Sequence, residues 1–374
     1  MIEPVLTSAA ANSEASHRPT VTVVVPTFRE VENIPHLAKR LGAVRSSSGL
    51  DLELLLMDDD SCDGTVELVK SLQVDWVRLF VRKTGRGLSQ AVLDGLWRSK
   101  TDVLIVMDAD LSHPPEKIPD MIQALDRGAD MVVGSRFVEG GSTDDDWGLF
   151  RWINSLVPTL LARPLSSLKD PMSGFFAMRR VTFASGRDFN PVGYKIGLEL
   201  LIKCRCERVA EIPIHFSDRC FGKSKLSFKE QLKYLQHIRR LYIYKYGTWT
   251  HLAQFLVVGL SGTVINLALL TLLLAWSITP NLAIGLSIGS SIVWNFFLNR
   301  RFSFSYARKQ SVFWQFAGFV AACSVGAIVN FFTTIAVWSL FEHKQIAAIL
   351  GICSGTAFNF AASRFVVFRQ RQGS

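Results

Sequence analysis

Two carboxylates one residue apart, Asp108 and Asp110, follow the apolar run Val103-Leu-Ile-Val-Met107. Just beyond a strand, such a pair can approach one hard cation while a small residue, Ala109, separates them. Oxygen donors suit Mg2+ or Mn2+, which keep several waters and share their ligands with substrate phosphates. Asp-x-Asp alone is common in loops; its weight here comes from its company. Met57-Asp-Asp-Asp-Ser-Cys-Asp-Gly-Thr65 follows a second apolar run, and Pro26-Thr-Phe-Arg-Glu30 a third. Asp63 reads as the cap of the next helix. Asp58 and Asp59, like charges at a strand end, read as ligands of a base, a ribose or a metal. No Ser/His/Asp set stands out as a base, and His113, ahead of Pro114-Pro115, reads as a loop residue.

The elements that must position these groups alternate along the chain. Val21–Val25, Leu52–Met57, Val77–Val81, Val103–Met107 and Met131–Val133 are β-branched or apolar runs that predict strands. Between them, Val31–Arg45, Thr65–Ser71, Gly87–Ser99 and Pro115–Arg127 have helical spacing. That alternation predicts βαβ units around a mostly parallel, buried sheet. Ligands of such sheets lie beyond the carboxyl ends of the strands, which is where the polar clusters fall.

Charge and hydropathy divide the chain of 374 residues, whose net charge is +9 and mean hydropathy +0.23. Up to residue 250 there are 33 basic and 31 acidic residues; beyond it, 8 and 1. The basic excess therefore sits among apolar segments, which argues for a membrane and against nucleic acid. Residues 219–246 hold eight basic residues and one acid, with Phe228, Leu232, Leu235, Ile238 and Leu241 at helical spacing. This predicts a basic amphipathic helix in the headgroup layer. Trp147–Arg163 is read as a second anchor. Four spans are expected, at about 252–276, 281–299, 313–339 and 345–363, each near the roughly 20 residues a crossing needs. A shift of 64 superposes Gly262 and Asn266 on Gly326 and Asn330, and Asn295 on Asn359, so two hairpins repeat in parallel. Their asparagines read as interhelical hydrogen-bonding glue.

Arg300, Arg301, Arg308 and Lys309 follow the second span, and Arg364, Arg369 and Arg371 the fourth, which predicts cytoplasmic termini and a cytoplasmic first domain. The first 18 residues read as a flexible tail without a signal peptide. Six cysteines show no framework or zinc spacing, and reduced thiols are expected.

Several motifs occur in one family's order: those above, then Arg82-Lys-Thr-Gly-Arg-Gly-Leu-Ser-Gln-Ala91, Gly134-Ser-Arg136, Asp170-Pro-Met-Ser-Gly-Phe175 and Phe221-Gly-Lys-Ser-Lys-Leu226. The chain resembles the dolichol-phosphate (polyprenol-phosphate) mannose synthases of the inverting family 2 glycosyltransferases over about residues 20–246. From about 250 to 370 it resembles a GtrA-type four-helix domain. The resemblance implies an α/β GT-A (Rossmann-like) catalytic domain fused to an all-α four-helix transmembrane domain. The expected layout is a tail over 1–18, the catalytic domain over 19–218, the juxtamembrane segment over 219–249 and the membrane domain over 250–374.

It also implies roles. Pro26, Phe28 and Glu30 line the nucleotide pocket, and Met57 and Asp59 lie beside the base. Asp108, Ala109 and Asp110 meet the diphosphate and sugar, with Asp110 on the metal, Mg2+ or Mn2+. Arg136, Arg219 and Lys223 hold the acceptor phosphate or the donor diphosphate, and Arg151 and Ser155 touch the acceptor. Ser112 stands where the family commonly has a metal-assisting Gln, so either a water is expected between it and the metal or metal affinity is altered; Phe28 stands where Tyr is more usual. The implied partners are the bilayer, GDP-mannose and polyprenyl (dolichyl) phosphate, joined on the cytoplasmic face with inversion. A UDP-sugar donor, such as UDP-glucose, is the rival within that chemistry. A flippase role for the four-helix domain is the rival of another class.

Overall fold

A computed structural model describes residues 19–144, 157–217, 228–340 and 343–369. Contacts divide the chain into two units, Met1–Leu241 and Tyr242–Ser374. The first is built on a seven-stranded sheet. Its strands are β1 (Thr20–Thr27), β2 (Asp51–Asp58), β3 (Val77–Val81), β4 (Val103–Val106), β5 (Met131–Ser135), β7 (Phe176–Arg179) and β8 (Val209–Pro213), in the order β3-β2-β1-β4-β7-β5-β8. A separate pair joins β6 (Ser142–Thr143) to β9 (His215–Phe216).

Burial runs nearly unbroken along β1 and β4 rather than alternating, because helices cover both faces. On one face α1 (Ile34–Ser48) and α4 (Ile118–Asp126) lay Ile34, Leu37, Leu41, Met121 and Leu125 against Val23, Leu54 and Ile105. On the other, α3 (Leu88–Arg98) approaches closely at Gly95, where a Cβ would fall 2.4 Å from Val24 Cγ1. Helix α2 (Thr65–Leu72) has Gly64, not the expected Asp63, at its N-cap; Asp63 lies one residue earlier, and its Oδ1 accepts the backbone N–H of Thr65 at 3.1 Å in the turn that leads in.

Two strands were not apparent from periodicity. Phe175-Phe-Ala-Met178 is a continuous apolar run without alternation, and it forms β7, antiparallel to both β4 and β5. Val209-Ala-Glu-Ile-Pro213 carries Glu and Pro, which an edge strand such as β8 tolerates. After β7 come α5 (Arg180–Ser185), α6 (Ile196–Lys203) and α7 (Phe228–Tyr246). The basic amphipathic helix is therefore present from Phe228; residues 218–227 lie outside the described ones. Tyr234 of α7 donates to the Pro158 carbonyl at 2.7 Å, within the expected second anchor, most of which is not described.

The second unit has four helices long and apolar enough to cross a membrane: α8 (Thr248–Ala275), α9 (Pro280–Leu298), α10 (Val312–Leu340) and α11 (Lys344–Ala362). The repeat is visible in three dimensions. Asn295 seats against Gly262 and Asn359 against Gly326, where a Cβ would fall 2.2 and 2.0 Å from the respective Oδ1. Of the four asparagines expected to join helices by hydrogen bonds, Asn330 accepts from Thr334 Oγ1 at 3.3 Å, while Oδ1 of Asn266, Asn295 and Asn359 accepts none among the described residues. Asn295 and Asn359 join helices by filling the gap a glycine leaves. Each hairpin ends in a π-helical turn, Asn299–Ser303 and Ser363–Val367. Fully buried Phe304 and Phe368 follow the two turns, and their rings stack 4.9 Å apart between centroids.

Candidate active site

Parallel strands deliver their carboxyl ends to one edge of the sheet, so the turns after β1, β2, β4 and β5 gather there. Because β7 runs the other way, its leading loop, 170–175, reaches the same edge. Phe176 pairs with both Val106 and Val133, and Gly134 N–H donates to the Phe175 carbonyl at 2.8 Å. A single antiparallel strand thus brings Asp170 and Gly174 between the Asp108 turn and Arg136.

Asp108 and Asp110 differ in environment. The Asp108 side chain is 34% exposed, and its carboxylate lies close to Gly174, whose built Cβ would sit 3.4 Å from Oδ2. Asp110 is buried, and its Oδ1 accepts from Ser112 Oγ at 2.6 Å and from Ser112 N at 3.2 Å. Leu111 between them adopts φ +63°, the left-handed turn that lets residue 112 fold back. Ser112, expected beside a metal through a water, donates its hydroxyl hydrogen bond to the Asp110 carboxylate and so orients it. Ala109 is buried between the two acids.

His113 is more than a loop residue. It is buried, stacks on Phe175 at 5.4 Å, and its Nδ1 accepts the Asp108 N–H at 3.2 Å. That bond places the neutral ring's proton on Nε2. Burial lowers its pKa, against the pull of Asp108 and Asp110. The ring therefore braces the turn that presents Asp108.

Arg136 is held by Asp170: Nε to Oδ2 at 2.7 Å and Nη2 to Oδ1 at 2.8 Å, with the Arg136 backbone N–H also on Oδ2 at 3.2 Å. Phe137 and Phe216 rings lie 5.1 and 5.2 Å from its guanidinium carbon. Glu211 in turn accepts the backbone N–H groups of Lys169 and Asp170. A bidentate pair of this kind fixes the plane of the guanidinium.

The turn after β1 places Pro26, Phe28 and Glu30 beside the cluster after β2. Phe28 is exposed, whereas Glu30 Oε2 accepts from Asn33 Nδ2 at 2.7 Å and anchors the start of α1. Asp58, offered as a ligand, is buried and receives Thr27 Oγ1, Ser61 N and Ser61 Oγ; it ties the β1 and β2 turns together. Asp59 receives Arg82 and, at 2.7 Å, the Gly87 N–H. Met57, expected beside the base, is fully buried against Gly95 of α3. Its strand position points it inward, and its side chain serves the core. Arg151, Ser155, Arg219 and Lys223 lie outside the described residues.

Lys195 belongs to the site although no motif in the sequence marks it. Its Nζ donates to the Met172 carbonyl at 2.6 Å, and Asp108, Asp170 and Arg136 all act on its charge. Burial, then Arg136, lowers its pKa to about 8, while Asp170 and Asp108 oppose that fall. A cation of this kind is primed to take an anionic ligand. Lys195→Met is expected to raise the donor KM about tenfold, the worth of one charge-assisted hydrogen bond. Because Lys195 is charged below its pKa and neutral above it, wild-type kcat/KM should fall as pH rises through about 8. That limb should be missing in the variant; pH–rate profiles of both proteins check it.

The site holds hard oxygen donors at Asp108 and Asp110. Among the described residues no cluster of three or more His, Cys, Asp or Glu side chains could hold a metal ion. That donor set fits Mg2+ or Mn2+, which take one or two carboxylates and complete their shell with water and substrate phosphate. Asp108 and Asp110 would hold such an ion.

Comparison with known proteins shows the family. The family model "Glycosyl transferase family 2" matches residues 22–185, and "GtrA/DPMS, transmembrane domain" matches residues 254–368. The chain is 36% identical over 353 residues to a dolichol-phosphate mannosyltransferase of Pyrococcus furiosus, covering 93% of this chain and 99% of that protein. It is 43% identical over 242 residues to a protein of the same description from Mycosarcoma maydis, covering 62% and 82%. Among solved structures, it is similar to glucosyl-3-phosphoglycerate synthase from Mycobacterium tuberculosis in complex with Mn2+, UDP and glucosyl-3-phosphoglycerate. That likeness has 21% identity and a TM-score of 0.45 over 61% of this chain and 80% of the other.

Proposed function

The chain belongs to the dolichol-phosphate mannosyltransferase family, a family 2 glycosyltransferase domain followed by a GtrA/DPMS membrane domain, and on that footing we propose that it makes polyprenyl-phosphate mannose from GDP-mannose. The observation that carries the reading is the meeting of Asp108, Asp110, Arg136 and Lys195 at one sheet edge, two hard acids opposite two cations. We place the catalytic domain and both termini on the cytoplasmic side, where Lys and Arg flank the spans.

In this mechanism an oxygen of the lipid phosphate attacks the anomeric carbon. A carbon–oxygen bond forms there as the bond to the nucleotide diphosphate breaks, so one displacement inverts the centre. The nucleophile is already an anion, and no general base is required, in keeping with a neutral, buried His113. A divalent ion at Asp108 and Asp110 would neutralise charge gathering on the departing diphosphate. The protein's own part is to position two anions against their mutual repulsion. Arg136, oriented by Asp170, and Lys195 supply compensating charge, and Arg151, Ser155, Arg219 and Lys223 are proposed to receive the acceptor phosphate. Pro26, Phe28, Glu30 and Asp59 are proposed for the nucleotide end.

Purified full-length protein should be incubated with labelled nucleotide sugars and polyprenyl phosphate, with and without Mn2+. Label should enter the lipid from GDP-mannose, and chelation should abolish its entry. Consumption of UDP-sugars alone would overturn the assignment of the donor.

A further inference from the structure

A lateral groove of about 930 Å3 runs along α10 and α11, entirely within the second unit. Its floor is made of small residues, Gly318, Ala321 and Ala322 on α10 and Ala362 on α11, and one end carries Lys309 and Ser311. Shifted by 64, those four small positions fall on Gln254, Val257, Val258 and Leu298 of the first hairpin, each larger. Trp314, Val325 and Val367, which also line the groove, fall on the smaller Thr250, Ser261 and Ser303.

The polar end is short of anions. Lys309 makes no ion pair among the described residues, and beyond residue 250 the only acid in the sequence is Glu342, which lies outside them. Gln315, also lining the groove, accepts from Arg300 Nε at 2.8 Å and so keeps a second cation beside it. Such a site asks for an anionic head and an apolar tail. A phosphate monoester brings up to about two negative charges, more than a diacyl phosphodiester, so a cationic end short of anions favours the monoester.

We propose that this groove binds polyprenyl phosphate, its phosphate at Lys309 and Ser311 and its chain along Gly318, Ala321 and Ala362, as a holding site built by the membrane domain alone. The identity of the lipid rests on the proposed function; the site does not.

The test uses the full chain in lipid nanodiscs with a diazirine-bearing prenyl phosphate. Cross-links should map to α10 and α11 and be displaced by unlabelled polyprenyl phosphate, but not by phosphatidylglycerol at the same mole fraction. Lys309→Gln should weaken labelling about fivefold, the worth of one cation near an anionic headgroup. Ala321→Trp, at an exposed position in the groove, should remove it. Sugar transfer at saturating acceptor should be unchanged in both variants. Labelling that ignores both substitutions, or that phosphatidylglycerol displaces equally, overturns the proposal, as does labelling confined to the catalytic domain. Groove labelling by a protein that transfers no sugar to the probe upholds the site and sinks the proposed function; transfer without groove labelling does the reverse.

Discussion

Asp110→Ala is expected to cut formation of the sugar-lipid by about 10^3-fold, the upper end of the range for deleting one preorganised electrostatic group. The loss should appear in kcat, since the carboxylate acts on charge that gathers as the diphosphate leaves. Asp110 is buried and pinned by Ser112, so its oxygens have a fixed direction before any ligand arrives. Asp110→Asn keeps an oxygen for Ser112 and loses only the charge, and it should be nearly as inactive. Ser112→Ala, which frees the carboxylate to turn, should cost metal affinity about 10- to 100-fold with partial recovery at high Mn2+, the behaviour of a group that orients a ligand. Extraction of labelled lipid at several Mn2+ concentrations separates the three. If Asp110→Ala kept a tenth of wild-type activity at saturating metal, the carboxylate would not be the centre of the reaction. Translocation of preformed sugar-lipid, should the membrane domain perform it, is expected to survive the substitution.

The half of the site that Asp110 represents was legible because βαβ order puts strand ends in sequence. An apolar run followed by a polar cluster marks an end, and Pro26, Asp59 and Asp108 could be grouped from that alone. The other half depends on β7 running against its neighbours. No periodicity in Phe176-Ala-Met-Arg179 gives a direction, so nothing local says that Asp170 will close on Arg136, 34 positions away. Lys195 was hidden in the same way, since its segment precedes a helix rather than following a parallel strand. Met57 went astray for a smaller reason: proximity to a strand end says nothing about which face a side chain takes, and here it faces α3. In the membrane domain the repeat of Gly262 and Asn295 was readable, but whether an amide bonds or packs depends on distances between helices that sequence spacing does not carry.

Asp170→Ala should destabilise the catalytic unit by about 3–5 kcal/mol, the cost of breaking a buried ion pair by removing one member. The Asp170 side chain is fully buried and that of Arg136 is 12% exposed, so solvent does little to replace the lost carboxylate. The cost is a large share of the roughly 5–15 kcal/mol that holds a domain together, and at about 2–4 °C per kcal/mol it should lower the melting temperature by about 6–20 °C. Loss of activity in that variant would be ambiguous, because misfolding and misplacement of Arg136 both produce it. The pairwise replacement Asp170→Leu with Arg136→Met resolves this. Exchanging a buried pair for apolar groups of similar volume is often neutral or stabilising, so thermal stability should return to within a few degrees while sugar transfer stays lost. Stability and activity would then part company, which happens only if the guanidinium serves the reactants as well as the fold. A double variant that regained both would mean that Arg136 and Asp170 are a strut between β5 and the loop before β7, and that phosphate is held by other cations.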